Sequence, residues 1–140
     1  MARINVKGVL AGGLLAGLII NVSETILNVP VLGAEMEASL AALNLPPVGG
    51  GAISVFVLGS FIVGILLVFL YASVRPRFGP GPKTAVLVGV LVWFLAYLWP
   101  SIGMVLMGFF PARLLTISSV WGLVELVLAA LAGGRVYKEA

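Results

Sequence analysis

Four long apolar runs, parted by short breaks rich in glycine, proline or charge, constrain this chain more than any other feature. Apolar residues fill 61% of the 140 positions and charged residues only 9%, whereas a soluble domain carries about a quarter charged. Such a chain needs lipid as its solvent. A membrane-crossing helix takes roughly 20 apolar residues, so the length holds about four spans and no separate soluble domain.

The spacing predicts an all-α membrane protein, a single domain over 1–140 forming a bundle of four transmembrane helices. The spans are expected over about 7–27, 52–74, 84–109 and 113–134. The first follows a basic start but ends in Asn21, Ser23, Glu24 and Asn28 without a small-x-small cleavage site, which makes it a retained helix and not a signal peptide. The third contains Pro100. Stopped there, Thr84 to Trp99 would span only about 24 Å at 1.5 Å per residue, so a kink with continuation to about Phe109 is favoured over an end.

Cysteine and histidine are absent, which removes disulfides, thiolate chemistry, haem axial histidines and the common zinc sites. No cofactor is expected. The formal charge of +3 is not a nucleic-acid signal, because the basic residues cluster at span ends. Arg3, Lys7, Arg75, Arg77, Lys83, Arg135 and Lys138 fall on one side of a four-span chain and Arg113 alone on the other. The basic side, with both termini, is therefore expected in the cytoplasm. On the opposite side, Ala34 to Leu43 carries Glu35 and Glu37 at its start and reads either as a short interfacial helix or as a solvated loop.

The inner connection, Arg75-Pro-Arg-Phe-Gly-Pro-Gly-Pro-Lys83-Thr84, is stiff and cationic, with Pro82 placed to open the third helix. Its basic charge serves as a topology signal. Alternatively, Arg75, Arg77 and Lys83 form a clamp for anionic lipid headgroups or for an acidic partner surface.

At 100° per residue, Gly13, Gly17, Asn21, Glu24 and Asn28 form one stripe on the first span, small at the basic end and polar at the other. Small-xxx-small spacing permits the close approach that membrane helices need. Gly8 and Gly12 point elsewhere and mark a second contact. The fourth span places Ser118, Trp121, Gly122, Glu125, Ala129 and Gly133 on one face. Ser60, Gly64 and Tyr71 make a weaker stripe on the second. A carboxylate costs about 2.5–3.5 kcal/mol at the centre of an inserted helix, so Glu125 should face the bundle, be protonated, or both. Counting from the basic ends puts Glu24 about 25 Å and Glu125 about 15 Å up, which argues against direct pairing. Arg113 is the candidate partner for Glu24, and the Trp93 indole for Glu125. Trp93, Tyr97, Trp99 and Trp121 read as packing and interface anchors.

The RPRFGPGPKTA hairpin, the AGGLLAGLIINVSE stretch and the short basic tail together resemble a group of small bacterial four-span membrane proteins. That resemblance covers most of the chain; it implies a bacterial inner membrane and no activity. The small multidrug transporters are similar in having four short helices and an acidic residue in the first. Glu24 lies later in its helix than theirs, however, and the charge bias favours one fixed orientation.

Nucleophile, metal-ligand and phosphate-loop patterns are missing, so no enzyme is expected. The leading expectation is a structural or accessory subunit that packs in a larger membrane complex, respiratory or photosynthetic, or against itself. The alternative is a small ion- or proton-coupled transporter using Glu125 and Glu24. A continuous water-accessible path joining the two glutamates would favour the transporter, and a dry, fully packed interior the subunit.

Overall fold

The computed structural model describes residues 3–140. All regular structure among them is helical, and four helices, Val6–Val31, Gly50–Phe78, Pro82–Leu106 and Ala112–Val136, are long and apolar enough to cross a membrane. The chain is a multi-pass helical bundle of the membrane type.

Helix α1 (Val6–Ile26) is capped by Asn5, whose side-chain oxygen accepts from the Gly8 N–H at 3.1 Å. It runs on through a π-helical turn, Leu27–Val31, so the first span ends four residues later than its composition suggested. Helix α2 (Gly33–Ala42) follows directly. Of the two readings open for that segment, the helix is the one observed. Leu32, just before it, is buried with Leu27 and Leu114, and Met36 packs on them, which ties α2 to the ends of the first and last spans.

Helix α3 (Gly50–Phe78) passes through Pro76 without breaking. The sequence placed its end near Val74 and the hairpin over Arg75–Thr84. In the structure the turn shrinks to Gly79, Pro80 and Gly81. Positive φ angles of 83° at Gly79 and 123° at Gly81 reverse the chain there, backbone settings that only glycine adopts without cost. Pro82 then opens α4 (Pro82–Trp93), where its missing N–H has no partner to lose.

The third span does not stop at Pro100. A π-helical turn, Phe94–Leu98, joins α4 to α5 (Trp99–Leu106). Within an α-helix, Pro100 would clash with the carbonyl four residues back. The wider turn, in which the Trp99 N–H bonds the Phe94 carbonyl, accommodates the ring. Pro30 sits in the other π turn, closed by the Leu32 N–H on the Leu27 carbonyl at 2.8 Å. The span ends at Leu106, and Gly108 (φ 75°) turns the chain into α6 (Ala112–Val136).

Glycines set three of the helix contacts. A Cβ built on Gly13 would lie 2.5 Å from the Ile65 Cα, and one on Gly17 2.7 Å from the Phe61 Cα, so α1 and α3 touch backbone to backbone. Gly12 meets the Gly133 carbonyl between α1 and α6, and Gly89 meets Leu126 and Val127 between α4 and α6. Hydrophobicity gives apolar helices no reason to associate in lipid, so close packing of this kind supplies the attraction. The buried centre is apolar, with Ala16, Ile20, Leu67, Val68, Val88, Leu126 and Ala129.

The first and last helical residues and the α3–α4 turn share one end. There the Tyr71 hydroxyl accepts from the Gly81 N–H at 3.0 Å, and the Tyr137 hydroxyl from the Asn5 N–H at 3.2 Å. The two rings meet edge to face at 6.2 Å. This basic end is closed by side chains of both termini.

Candidate functional site

The polar groups of α1, the α4–α5 π turn and α6 converge on one hydroxyl. The Tyr97 phenol oxygen lies 2.5 Å from Glu24 Oε1 and 2.7 Å from Glu125 Oε1. Both carboxyls therefore lie within hydrogen-bonding reach of one oxygen, closer together than depth counting along the helices suggested, and the phenol that joins them comes from a third helix. Tyr97 was missed as a site residue because its sequence context is that of an interface aromatic. Depth alone would have flagged it, since Tyr97 stands about 21 Å above Lys83 by helical rise, between the levels of the two glutamates.

Two features bring the phenol to this place. The π turn holds Tyr97 itself, and π turns recur at functional sites because they re-aim side chains within a continuous helix. On α6, Gly122 leaves room for the ring: a Cβ there would fall 2.6–2.7 Å from three Tyr97 ring atoms.

The two carboxyls differ in their surroundings. Glu24 is half-buried, and its second oxygen accepts from Asn28 Nδ2 at 2.8 Å, the same amide nitrogen also donating to the Glu24 carbonyl at 2.9 Å. Asn28 is exposed and lies in the first π turn. Glu125 is buried at 3% exposure, and its Oε2 has no hydrogen-bond partner. The cluster thus runs from an exposed amide through Glu24 and Tyr97 to a buried carboxyl. Below Glu125 the core is apolar down to the basic end.

Flanking bonds tie the same helices together. Trp121 Nε1 on α6 donates to Ser23 Oγ on α1 at 2.8 Å. Trp93 Nε1 donates to the Ser119 carbonyl at 2.7 Å, and not to Glu125 as its depth suggested. Ser119 Oγ bonds Ser101 Oγ at 3.1 Å, so Ser119, and not its neighbour Ser118, makes the interhelical bonds. Arg113 pairs with Glu35 of α2 and not with Glu24. The ion pair forms where α2 folds back over the start of α6, an approach that depth counting within the spans leaves out.

Of the other residues singled out from sequence, Gly13, Gly17 and Gly64 meet at the α1–α3 contact, and Gly133 at the α1–α6 contact. Ala129 is fully buried in the core. Asn21 Nδ2 donates to the Gly17 carbonyl and, at 3.3 Å, to the Val57 carbonyl of α3. Ser60 turns back on its own helix, donating to the Phe56 carbonyl, and Tyr71 serves the basic end, so α3 adds little to the polar cluster. The three cations of the inner connection divide. Arg75 turns inward, 5.7 Å from the Tyr137 ring centre and 3.8 Å from Glu139, whereas Arg77 and Lys83 are exposed.

Among the described residues no group of three or more histidine, cysteine, aspartate or glutamate side chains is placed to hold a metal ion. No protein-family model, curated protein or solved structure matches the chain.

Proposed function

We propose that the chain is a small ion- or proton-coupled membrane protein, not an enzyme, whose working site is the Glu24–Tyr97–Glu125 cluster. One observation carries this reading: a single phenol hydroxyl stands within hydrogen-bonding distance of two carboxyls contributed by different helices. Carboxyls inside spans are costly and mark ion or proton pathways when they are joined to one another. Depth counting from sequence had weighed against such a relay, and Tyr97 removes that objection.

The apolar, buried core between Glu125 and the basic end favours a second reading, the accessory subunit that packs in a larger membrane complex or against itself. In that case the cluster is an interhelical clamp, and the glycine contacts are its assembly faces. Coupled transport instead requires the closed half to open, so that Glu125 meets the second side of the membrane.

The seven-to-one division of basic residues supports both termini in the cytoplasm, and a bacterial inner membrane rests on the resemblance to small four-span proteins alone. The exposed Arg77 and Lys83 would then face the anionic headgroups of that leaflet. Nucleic acid has no place in this reading.

Reconstitution into liposomes tests it. An imposed proton gradient should dissipate faster with the wild type than with Glu125→Gln or Tyr97→Phe. Equal and negligible rates for all three, with the protein co-purifying with a stoichiometric partner in mild detergent, would establish the accessory subunit instead.

A further inference from the structure

The proton content of the cluster follows from counting donors. An ionised carboxylate only accepts, a protonated carboxyl donates once, and a phenol donates once. Tyr97 makes two short O···O contacts, 2.5 Å to Glu24 and 2.7 Å to Glu125, and its one proton can occupy only one of them. With both carboxyls ionised, the other contact would press two lone pairs together. We infer that the Glu24–Tyr97–Glu125 cluster is a proton-binding site that retains one carboxyl proton at neutral pH, so that its net charge is −1 and not −2. This deepens the proposed function of the same site by naming its ligand.

The surroundings assign the proton to Glu125. Glu24 accepts from two donors, Tyr97 and Asn28, and these bonds offset the charge of an ionised carboxylate. Glu125 is buried and leaves Oε2 without a partner. A bare oxygen costs less on a neutral carboxyl than on a carboxylate, whose charge would go unmet in an apolar setting. The resting arrangement is therefore Glu125 O–H donating to the phenol oxygen and the phenol O–H donating to the Glu24 carboxylate.

Transfer through this chain balances without ionising the phenol. Glu125 gives its proton to the Tyr97 oxygen while Tyr97 gives its own to Glu24. One O–H bond breaks and one forms at the phenol, and the negative charge passes from Glu24 to Glu125. Glu24, beside the exposed Asn28, is the member placed to exchange with the α2 end.

Among the described residues no cation faces the cluster. On α6, Arg135 lies ten residues from Glu125, and Arg113, twelve residues away, is paired with Glu35; on α1 the cation is Lys7, seventeen residues from Glu24. Helix α3 has no ionisable residue between Gly50 and Leu70, and α4–α5 offers only Tyr97 beyond Lys83. Among the described residues, a retained proton is the means of lowering the charge.

Infrared spectroscopy of the full chain in lipid tests this at equilibrium, with no gradient applied. The chain has five carboxylate side chains, all glutamate, three of them near helix ends or the C-terminus, so the background is small. At neutral pH the wild type should show the C=O stretch of one protonated carboxyl, shifted by deuterium. Glu125→Gln should remove it and Glu35→Gln should leave it. A wild type with no such band, or a band that survives Glu125→Gln, overturns the inference. Absence of flux in liposomes bears only on transport, so the two failures are distinguishable.

Discussion

Gly122 lies against the face of the Tyr97 ring, and the side chain it lacks is what admits the phenol between the carboxyls. Because the three nearest ring atoms are 2.6–2.7 Å from where a Cβ would be and a ring cannot bend, Gly122→Ala must shift the ring or the helix. We expect a loss of about 1–3 kcal/mol, the usual range for overpacking, measured by thermal or denaturant unfolding in detergent. In a Tyr97→Ala background the same change should cost much less. Equal costs in both backgrounds would mean that the ring is not what Gly122 accommodates.

The α1–α3 contact gives a sharper contrast. Gly17 faces the Phe61 backbone and Gly64 faces the backbones of both Gly13 and Gly17, whereas Leu18 is 52% exposed. Gly17→Leu and Gly64→Leu should therefore lower yield and thermal stability in detergent, and Leu18→Ala should change neither appreciably. Similar behaviour of all three variants would remove the glycine contact as the source of helix association.

These contacts also show what can be read from the sequence. Hydropathy located the four spans, and helical periodicity put Gly13, Gly17, Asn21 and Glu24 on one face, because both depend on residues within a single helix. Tyr97 could not be placed in this way. Its partners lie on two other helices, and its direction depends on a π turn that interrupts the 100° periodicity after Trp93. The Arg113–Glu35 pair was hidden for a related reason: it depends on where α2 folds after the Pro30 turn. The hairpin was overextended because Pro76 resembles a breaker, although α3 continues for one further turn.

Arg113 supplies a prediction about charge. Its pair with Glu35 is largely solvent-facing, with the side chains 69% and 40% exposed, and exposed pairs contribute about 0–1 kcal/mol. Arg113→Ala should lower stability by less than that and leave the infrared signature of the protonated carboxyl in place. A loss of several kcal/mol, or loss of the band, would mean that Arg113 acts on Glu24 after all.

Orientation is tested separately from the site. A reporter fused after Ala140 should report from the cytoplasm, and one inserted near Gly50 from outside, since seven of the eight basic residues lie at the end that holds both termini. The opposite result would invert the protein in the membrane and direct Glu24 and Asn28 to the cytoplasmic side.

Glu125 separates the two functional readings. Glutamine keeps its shape and can donate through its amide, so Glu125→Gln can still bond the Tyr97 oxygen. In a structural clamp this variant should keep its fold and any partner, and Glu125→Leu should be less stable by roughly 0.6–1.7 kcal/mol, the range measured for hydrogen bonds between membrane helices. In a proton-coupled protein Glu125→Gln should fold equally well but lose proton flux, because the amide cannot alternate between protonated and ionised forms. Tyr97→Phe should lose flux as well while both glutamates remain, since removing the hydroxyl takes away the group that bonds to both of them. Flux that survives in Tyr97→Phe but not in Glu125→Gln would show that protons reach Glu125 by a route that bypasses Glu24. Flux lost in both, with helical content and melting temperature unchanged, requires the proton to pass through the phenol.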